Sequence, residues 1–178
     1  MLRILSSLVI AGALAAAASP FTLTSTDVHA GKQIAAANVF NGMGCGGQNM
    51  SPALSWSGAP AGTKSFAVTV FDPDAPTGRG WWHWVVYDIP ASLRALPQDA
   101  GAGSGQNLPH GARQTANDFG GPGYGGPCPP PGSPHRYVFT LYALDAASID
   151  VGSEPAEVAA GLKPHALAEA SFTVSYGR

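Results

Sequence analysis

Charged residues are scarce in this sequence, and they form no cluster of one sign. They make up 11% of the 178 residues, with nine Lys and Arg against eleven Asp and Glu, so the net charge is −2. A protein surface that follows a nucleic-acid backbone needs clustered Lys and Arg, whereas the cations here are scattered along the chain. The composition therefore predicts that nucleic acid is not a partner.

The N-terminal apolar run is too short to cross a bilayer. From Ile4 to Ala18 it has about 15 residues, against the roughly 20 that a membrane-spanning helix needs. Arg3 precedes the run and four alanines close it, which favours a secretory signal peptide over a membrane anchor. We expect a signal peptide over residues 1–18 with cleavage near Ala18, and a single domain over residues 19–178. The mature protein is then expected to be periplasmic or secreted, without stable membrane insertion.

Cysteine is almost absent from the chain. Cys45 and Cys128 are the only two cysteines, and in an exported protein such a pair is compatible with one disulfide. A disulfide requires the two Cβ atoms to lie about 4 Å apart, which the sequence does not determine. A Cys45–Cys128 disulfide and two separate thiols therefore both remain open.

Glycine and proline are abundant, and long helical periodicity is missing. The 23 Gly and 16 Pro follow no repeat, which predicts many turns and loops. Alternating or continuously apolar segments predict a mainly β fold. A short helix is expected over residues 154–162, with a further helical turn in residues 165–170. The predicted strands cover residues 21–25, 54–56, 65–71, 83–89, 136–144 and 172–176.

Two proline-rich motifs each lead into a predicted strand. DPDAP at residues 72–76 precedes WWHW at 81–84, and GPCPPP at 126–131 precedes HRY at 135–137. Because proline restricts its own backbone and that of the preceding residue, the polar side chains in these loops are held in nearly fixed directions. The stretch between 90 and 126 is too long for a simple connection, which predicts that it covers a surface or lines a site.

The polar residues of these motifs could form one pocket. Taken alone, Asp72 and Asp74 beside a proline are explained by an Asx turn, and His83 by a buried, hydrogen-bonded ring. His135 and Tyr137 lie two positions apart, so they face the same side of a strand. Two imidazoles, a phenol and backbone N–H groups would suit an anion with several oxygens, such as phosphate, with Asp72 orienting one imidazole.

Six motifs occur in order along the mature chain. They are MSPALSW at residues 50–56, DPDAP at 72–76, WHW at 82–84, NDFG at 117–120, GYGGPCPP at 123–130 and HRY at 135–137. In this combination the chain resembles the phosphatidylethanolamine-binding protein family, also known as Raf kinase inhibitor-like proteins, and most closely its bacterial branch. The resemblance implies a sandwich of two antiparallel sheets with a few short helices near the C-terminus.

The resemblance also implies a pocket at one end of the larger sheet for phosphate-like groups or the head group of a phospholipid. Arg136 is expected on the opposite face of its strand from the pocket, in a structural ion pair with Asp88 or Asp118. Carried over by motif, the ligand-binding residues are Asp72, His83, Pro130, His135 and Tyr137. The implied rim consists of Asp74, Pro76, Trp82, Gly126 and Cys128.

The sequence predicts a binding protein and not an enzyme. It has no nucleophile elbow, phosphate-loop glycine pattern or paired zinc motif, so we expect a small anionic ligand and no catalytic residue, cofactor or metal. An inhibitor of a protease or of another protein partner is the alternative that the resemblance implies. A metal site of Asp72, His83 and His135, or a reactive Cys128 thiolate, are further options against which the resemblance argues. The oligomeric state is left open, with a homodimer as one option.

Overall fold

The structure, a computed structural model, describes residues 19–178, and the predicted signal peptide over residues 1–18 lies outside the described residues. No helix in the described part is long and apolar enough to span a bilayer. Helix α1 spans Pro155–Leu162, and 3-10 turns span Ala36–Asn38 and Lys163–His165. The strands are β1 (Thr22–Thr24), β2 (Asn41–Gly42), β3 (Cys45–Gly46), β4 (Leu54–Ser57), β5 (Ser65–Asp72), β6 (Trp81–Pro90), β7 (Ala95–Leu96), β8 (Arg113–Gln114), β9 (His135–Leu144) and β10 (Ala166–Tyr176).

Five antiparallel strands form the larger sheet, in the order β10-β9-β5-β6-β8. The central strand β5 is apolar at almost every position and buried along nearly its whole length, as expected for a strand that is covered on both faces. It ends at Asp72, which pairs with Trp81 at the start of β6, while Phe71 pairs with Val138 near the start of β9. The end of one strand and the beginnings of its two neighbours therefore meet at one end of the sheet.

The smaller sheet, in the order β1-β4-β7, packs on one face of the larger sheet. Trp56 on β4 contacts Phe66 on β5, with ring centroids 5.3 Å apart, inside the core between the two sheets. Helix α1 covers the opposite face, where Val158 and Leu162 belong to a second apolar cluster with Val85 of β6. The predicted sandwich of two antiparallel sheets is confirmed, and burial on both faces explains the continuous apolar run of β5.

The prediction of a further helical turn in residues 165–170 is wrong. Lys163–His165 forms a 3-10 turn, and β10 begins at Ala166 and pairs with β9 along its length. Ala168 and Ala170 are among its inward-facing residues and pack against the core. Because alanine is small and only weakly hydrophobic, the alternation of apolar and polar residues in this strand is hard to recognise in the sequence. Alanine favours helix, but the hydrogen bonds and the burial that β9 provides override this propensity.

The glycine-rich loop before β4 contains a small hairpin. Strands β2 and β3 are joined by Met43 and Gly44, whose φ angles are +51° and +83°. Both angles are positive, as a two-residue hairpin turn requires. The turn presents an exposed Met43 side chain beside the end of the larger sheet where β5 stops and β9 begins.

Candidate functional site

Asp72 connects the two proline-rich motifs. It lies at the end of β5 and is only 3% exposed. Its Oδ2 accepts a hydrogen bond from Nδ1 of His135 at 2.7 Å, and its Oδ1 accepts one from the backbone N–H of Asp74 at 2.8 Å. The carboxylate of Asp72 therefore has both of the roles that the sequence suggested. It forms an Asx turn with Asp74, and it orients the imidazole of His135.

His83 lines the same cavity but is not hydrogen-bonded to the carboxylate of Asp72. Its Nδ1 donates a 2.6 Å hydrogen bond to the carbonyl oxygen of Gly125, which fixes the tautomer and leaves Nε2 as the ring's remaining polar atom. Burial lowers the pKa of His83 from 6.5 to about 4, although the Gly125 carbonyl and the Asp72 charge oppose this shift. The ring is therefore neutral at pH 7, and Nε2 is a hydrogen-bond acceptor.

A β-bulge places His83 on the inner side of the sheet. Phe71 pairs with Trp82 and Val70 pairs with Trp84, so His83 is the extra residue between two regular pairs. The extra residue shifts the alternation of side chains, so residues before and after the bulge that face inward are not separated by an even number of positions. Trp81 and His83 line the site, while Trp84 lies in the core between the sheets.

Two buried donors in the site have no protein partner. The hydroxyl of Tyr137 and the indole N–H of Trp81 are both buried, and neither is hydrogen-bonded to any residue between 19 and 178. Burial raises the pKa of Tyr137, so its phenol keeps its proton at neutral pH. The ring of Tyr137 meets that of His83 edge-on, with centroids 5.1 Å apart. Both donors therefore lie within the same cluster as the two imidazoles.

These groups line a cavity of about 320 Å³ with mainly apolar walls. Phe119, from the long stretch between β6 and β9, closes one side and contacts His83 edge-on at 5.4 Å between centroids. The stretch therefore does line the site, as its length predicted. The residues of the cavity are Met43, Asp72, Ala75, Pro76, Thr77, Trp81, His83, Phe119, Cys128, Pro129, Pro130, Pro131, His135, Tyr137 and Arg178.

The structure thus brings together all five residues expected to bind the ligand. Of the expected rim, Pro76 and Cys128 also line the cavity. Trp82 does not, because it faces the other side of β6, where it packs on Phe71 at 4.4 Å between ring centroids. Gly126 does not line it either. Its N–H donates to Oδ1 of Asn49 at 2.7 Å, and a Cβ atom there would lie 2.3 Å from a backbone oxygen.

Asp74 lies at the mouth and not in the cavity, in an adjoining shallow depression. Its two carboxylate oxygens accept hydrogen bonds from Nε and Nη2 of Arg136 at 2.9 and 2.7 Å. The hydrogen bond to the Arg136 side chain is the main reason that the pKa of Asp74 is lowered to about 2. The side chain of Arg136 thus neutralises the rim carboxylate.

The expected partners of Arg136 are therefore wrong. Asp118 pairs with Arg79 at 3.4 Å, and Asp88 pairs with Arg113 on the neighbouring strand β8. The period-two rule places Arg136 on the side of β9 away from the cavity, but it does not show which carboxylate lies there. Asp74 reaches that position because the loop after β5 folds back over the start of β9.

Cys45 and Cys128 form a disulfide. The bond joins the β2–β3 hairpin to the proline-rich wall of the cavity, and it decides between the two cysteine alternatives. It also removes the option of a reactive thiolate, since a disulfide sulfur carries no ionisable proton. In residues 19–178, no group of three or more His, Cys, Asp or Glu side chains is arranged to hold a metal ion.

Several residues that line the cavity are not among those predicted from the sequence. Phe119 belongs to the NDFG motif at residues 117–120, so the resemblance contained a signal for it. Trp81 follows from His83 by strand alternation, since the two are separated by two positions. Met43 and Arg178 had no such signal, because each reaches the cavity only through the packing of the hairpin and of the chain after β10.

Comparison with known proteins agrees with this fold. The family model described as "Phosphatidylethanolamine-binding protein" matches residues 24–177. UPF0098 protein YbcL of Escherichia coli is 51% identical over 164 residues, which covers 90% of each chain, and UPF0098 protein YbhB of the same organism is 51% identical over 156 residues, covering 86% of this chain and 98% of the relative. Putative lipoprotein LppC of Mycobacterium tuberculosis is 42% identical over 104 residues, covering 58% of this chain and 47% of the relative.

A solved structure extends the similarity to the fold. The crystal structure of Escherichia coli YbcL, described as a new member of the mammalian PEBP family, matches with a TM-score of 0.87 at 50% sequence identity. The match covers 90% of this chain and 99% of that chain. The similarity in fold therefore extends over most of the chain.

Proposed function

The chain belongs to the phosphatidylethanolamine-binding protein family, and on that premise we propose that it is a binding protein whose cavity holds a phosphate-like group. The group is a free anion or the phosphate of a larger head group. Asp72 with His135 forms one wall of the binding site, and His83 with Tyr137 forms the other. Trp81 completes the set of polar groups around the ligand.

The observation that carries this proposal is the pair of unpartnered buried donors. A buried O–H or N–H group without an acceptor is unfavourable by about 1–3 kcal/mol, so proteins rarely keep one without a reason. Here two such donors, on Tyr137 and Trp81, occur in one cavity. A ligand with several oxygens would accept hydrogen bonds from both, and phosphate has that chemistry.

The two imidazoles add complementary groups to this set. His135 uses Nδ1 for Asp72, so its Nε2 remains for a ligand and donates when the ring is protonated. His83 is neutral and offers Nε2 as an acceptor, which matches the hydroxyl of a singly protonated phosphate. The proline walls hold these groups in place before a ligand arrives, which reduces the entropy lost on binding.

The proposed activity is binding without a chemical step. The sulfur of Cys128 is in a disulfide, and the phenol of Tyr137 keeps its proton, so neither is a nucleophile at neutral pH. The ligand would be held by hydrogen bonds and charge, and released unchanged.

We further propose that the protein acts outside the cytoplasm. Three observations support export. The N-terminal 18 residues have the composition of a signal peptide. The disulfide is of a kind that persists in oxidising compartments. One relative is named a lipoprotein.

Replacing Tyr137 tests the proposed function. Tyr137→Phe removes only the unpartnered hydroxyl, so we expect phosphate affinity to fall about tenfold while stability stays the same or rises by about 1 kcal/mol. Calorimetric titration with inorganic phosphate and urea unfolding measure the two quantities.

Tyr142→Phe is the matched control. Tyr142 lies on the same strand β9 but faces the cluster under α1, so the same atom is removed on the far side of the sheet. Its phosphate affinity should equal that of the wild type. Wild-type protein that binds no phosphate at millimolar concentration, or a Tyr137→Phe variant with full affinity, would contradict the proposal.

A further inference from the structure

The lining of the cavity changes from polar to apolar between its base and its mouth. Asp72, His83 and Tyr137, which supply polar atoms to the site, are all buried. Six of the lining residues are exposed to solvent, and these form the mouth. Four of the six are apolar, namely Met43, Pro76, Pro130 and Pro131, and the other two are Thr77 and Arg178. A ligand that matches this lining has its charged group at the base and carbon atoms at the mouth.

The volume of the cavity also exceeds that of a phosphate group. At about 320 Å³ it lies at the lower end of the roughly 300–1,000 Å³ range of small-molecule sites. A water molecule occupies about 30 Å³ of the liquid, so an ion of five heavy atoms fills only part of this cavity. The remaining volume borders apolar side chains, where carbon atoms of a ligand displace water favourably.

Met43 is the large hydrophobic residue that is most exposed at this mouth. Its side chain lines the cavity and the residue is 70% exposed, while Leu167, at 44%, is the only other exposed large hydrophobic residue within 19–178. Met43 also has a left-handed backbone, with a φ of +51°, in a hairpin turn that favours asparagine or glycine. Neither turn chemistry nor burial in a core therefore accounts for a methionine at this position.

The hairpin fixes the position of Met43 beside the cavity. The backbone N–H of Phe40, just before β2, donates a 3.1 Å hydrogen bond to the carbonyl oxygen of Pro127, and its ring stacks on Phe119 with 4.3 Å between centroids. The second strand of the hairpin is joined to the proline-rich wall by the disulfide of Cys45. The backbone of Met43 is thus held in place before a ligand binds, while its unbranched thioether chain can adapt to the shape of a ligand.

We propose that Met43 is a ligand-binding residue that packs on carbon atoms attached to the phosphate, so that the cavity prefers phosphate esters with an apolar chain. This inference rests on the proposed function and narrows its ligand class from a phosphate-like group to an alkyl ester. A phosphate with a carbon chain next to it occurs both in small soluble esters and in phospholipids. Each methylene that is fully buried at the mouth strengthens binding about threefold to fourfold.

Two esters of equal charge test this preference. Methyl phosphate and butyl phosphate share the phosphate and differ by three methylenes. Because the mouth buries these methylenes only in part, we expect wild-type protein to bind butyl phosphate about tenfold more tightly in calorimetric titrations. Dihexanoyl phosphatidylethanolamine, titrated below its micellar concentration, represents the phospholipid source, and the tighter of this lipid and butyl phosphate identifies the source.

Met43→Asn separates a ligand contact from a structural role. It gives the turn the asparagine–glycine sequence that this turn type favours, so the hairpin should be at least as stable as in the wild type. It also removes the apolar side chain, so we expect the affinity for butyl phosphate to fall about fivefold while that for methyl phosphate stays within about twofold. Met43→Leu keeps an apolar side chain and should retain the preference for butyl phosphate.

Leu167→Asn is the matched control. It makes a similar change at the other exposed hydrophobic residue, which lies at the far end of β10 from the cavity, so both ester affinities should match the wild type. Thermal unfolding of each variant checks that the fold is intact.

The outcomes separate this inference from the proposed function. Equal wild-type affinities for methyl and butyl phosphate, or a Met43→Asn variant that keeps the full preference for butyl phosphate, would overturn the inference while leaving phosphate binding in place. Failure of wild-type protein to bind inorganic phosphate and both esters would overturn the proposed function itself.

Discussion

His83 and His135 line the same cavity in opposite surroundings. His83 is buried against apolar and aromatic groups, and this burial disfavours its charged form although the hydrogen bond to the Gly125 carbonyl favours it. His135 is bonded directly to the carboxylate of Asp72. Two residues of one type therefore have different surroundings: His83 stays neutral and offers an acceptor, whereas the ring of His135 is oriented by a carboxylate.

The buried state of His83 predicts a loss of stability at acid pH. Its pKa is about 4 in the folded protein and near 6.5 when unfolded, so the unfolded state binds more protons between these values. The contribution of His83 to stability is thus full above about pH 6.5 and is lost as the pH falls toward 4. Between pH 7 and about pH 4.5 this loss amounts to about 2 kcal/mol.

Urea unfolding at the two pH values measures this effect. His83→Asn is the comparison, because its amide can still donate to the Gly125 carbonyl but does not titrate. Other titrating groups are the same in both proteins, so the variant should lose about 2 kcal/mol less than the wild type over this interval. An equal loss in the two proteins would show that His83 is not responsible.

At this scale the sequence predicts residue types better than contacts. The order of motifs placed Asp72, His83, His135 and Tyr137 in one pocket, because all four lie at the ends of strands that become neighbours. It did not show that Trp81 and not Trp82 faces the cavity. It also did not identify the carboxylate beside Arg136. Both depend on how loops fold over the end of the sheet, which involves residues far apart in the chain.

At the scale of elements, the cavity depends on a hairpin and a loop that are joined covalently. Strands β2 and β3 contain only two residues each, and such a hairpin is not stable by itself. The disulfide from Cys45 on β3 to Cys128 closes a sequence separation of 83 residues. Met43 on the hairpin and Pro129 beside Cys128 both line the cavity, so the bond holds two of its walls together.

Removing the disulfide should affect both stability and binding. For Cys45→Ser combined with Cys128→Ser, we expect a loss of about 2–4 kcal/mol of unfolding free energy, since the unfolded chain regains the entropy that the bond removes. Phosphate affinity should also fall, because the hairpin can move away from the proline-rich wall. Urea unfolding and calorimetric titration of the double variant measure the two effects. Unchanged binding would show that the loops keep the cavity in shape without the bond.

Strands with a strong hydrophobic pattern are the elements whose bounds the sequence predicts well. β5 is a continuous apolar run, and β9 contains many β-branched and aromatic residues, so both were predicted within one residue of their bounds. The beginning of β10 was missed because Ala166, Ala168 and Ala170 resemble a helical segment in the sequence. The pairing of the two cysteines could not be predicted, because the sequence does not determine the distance between the two loops that carry them.

In the whole molecule, the residues of the candidate site all lie at one end of the larger sheet. The end of β5 and the beginnings of β6 and β9 supply the polar residues, while the long stretch before β9 supplies Phe119 and the chain after β10 supplies Arg178. The two-sheet core below this end keeps the strands in register. A ligand site built on strand ends in this way is rigid, although loops contribute most of its walls.

The proposed export predicts a specific form of the mature protein. Protein recovered from the periplasm or medium of a host that secretes it should lack about the first 18 residues and contain no free thiol. Intact-mass spectrometry with iodoacetamide labelling, before and after reduction, tests both points. A chain that keeps its N-terminus and is alkylated without reduction would contradict the proposed location.

The most direct test of the central claim is NMR spectroscopy of the histidine rings during titration with phosphate at constant pH. The chain has five histidines, and His29, His110 and His165 do not line the cavity, so they serve as internal controls. Binding of phosphate in the cavity predicts saturable shifts of the His83 and His135 ring signals, with the three controls unchanged. Unchanged signals of His83 and His135 at millimolar phosphate, or equal shifts of all five rings, would contradict it.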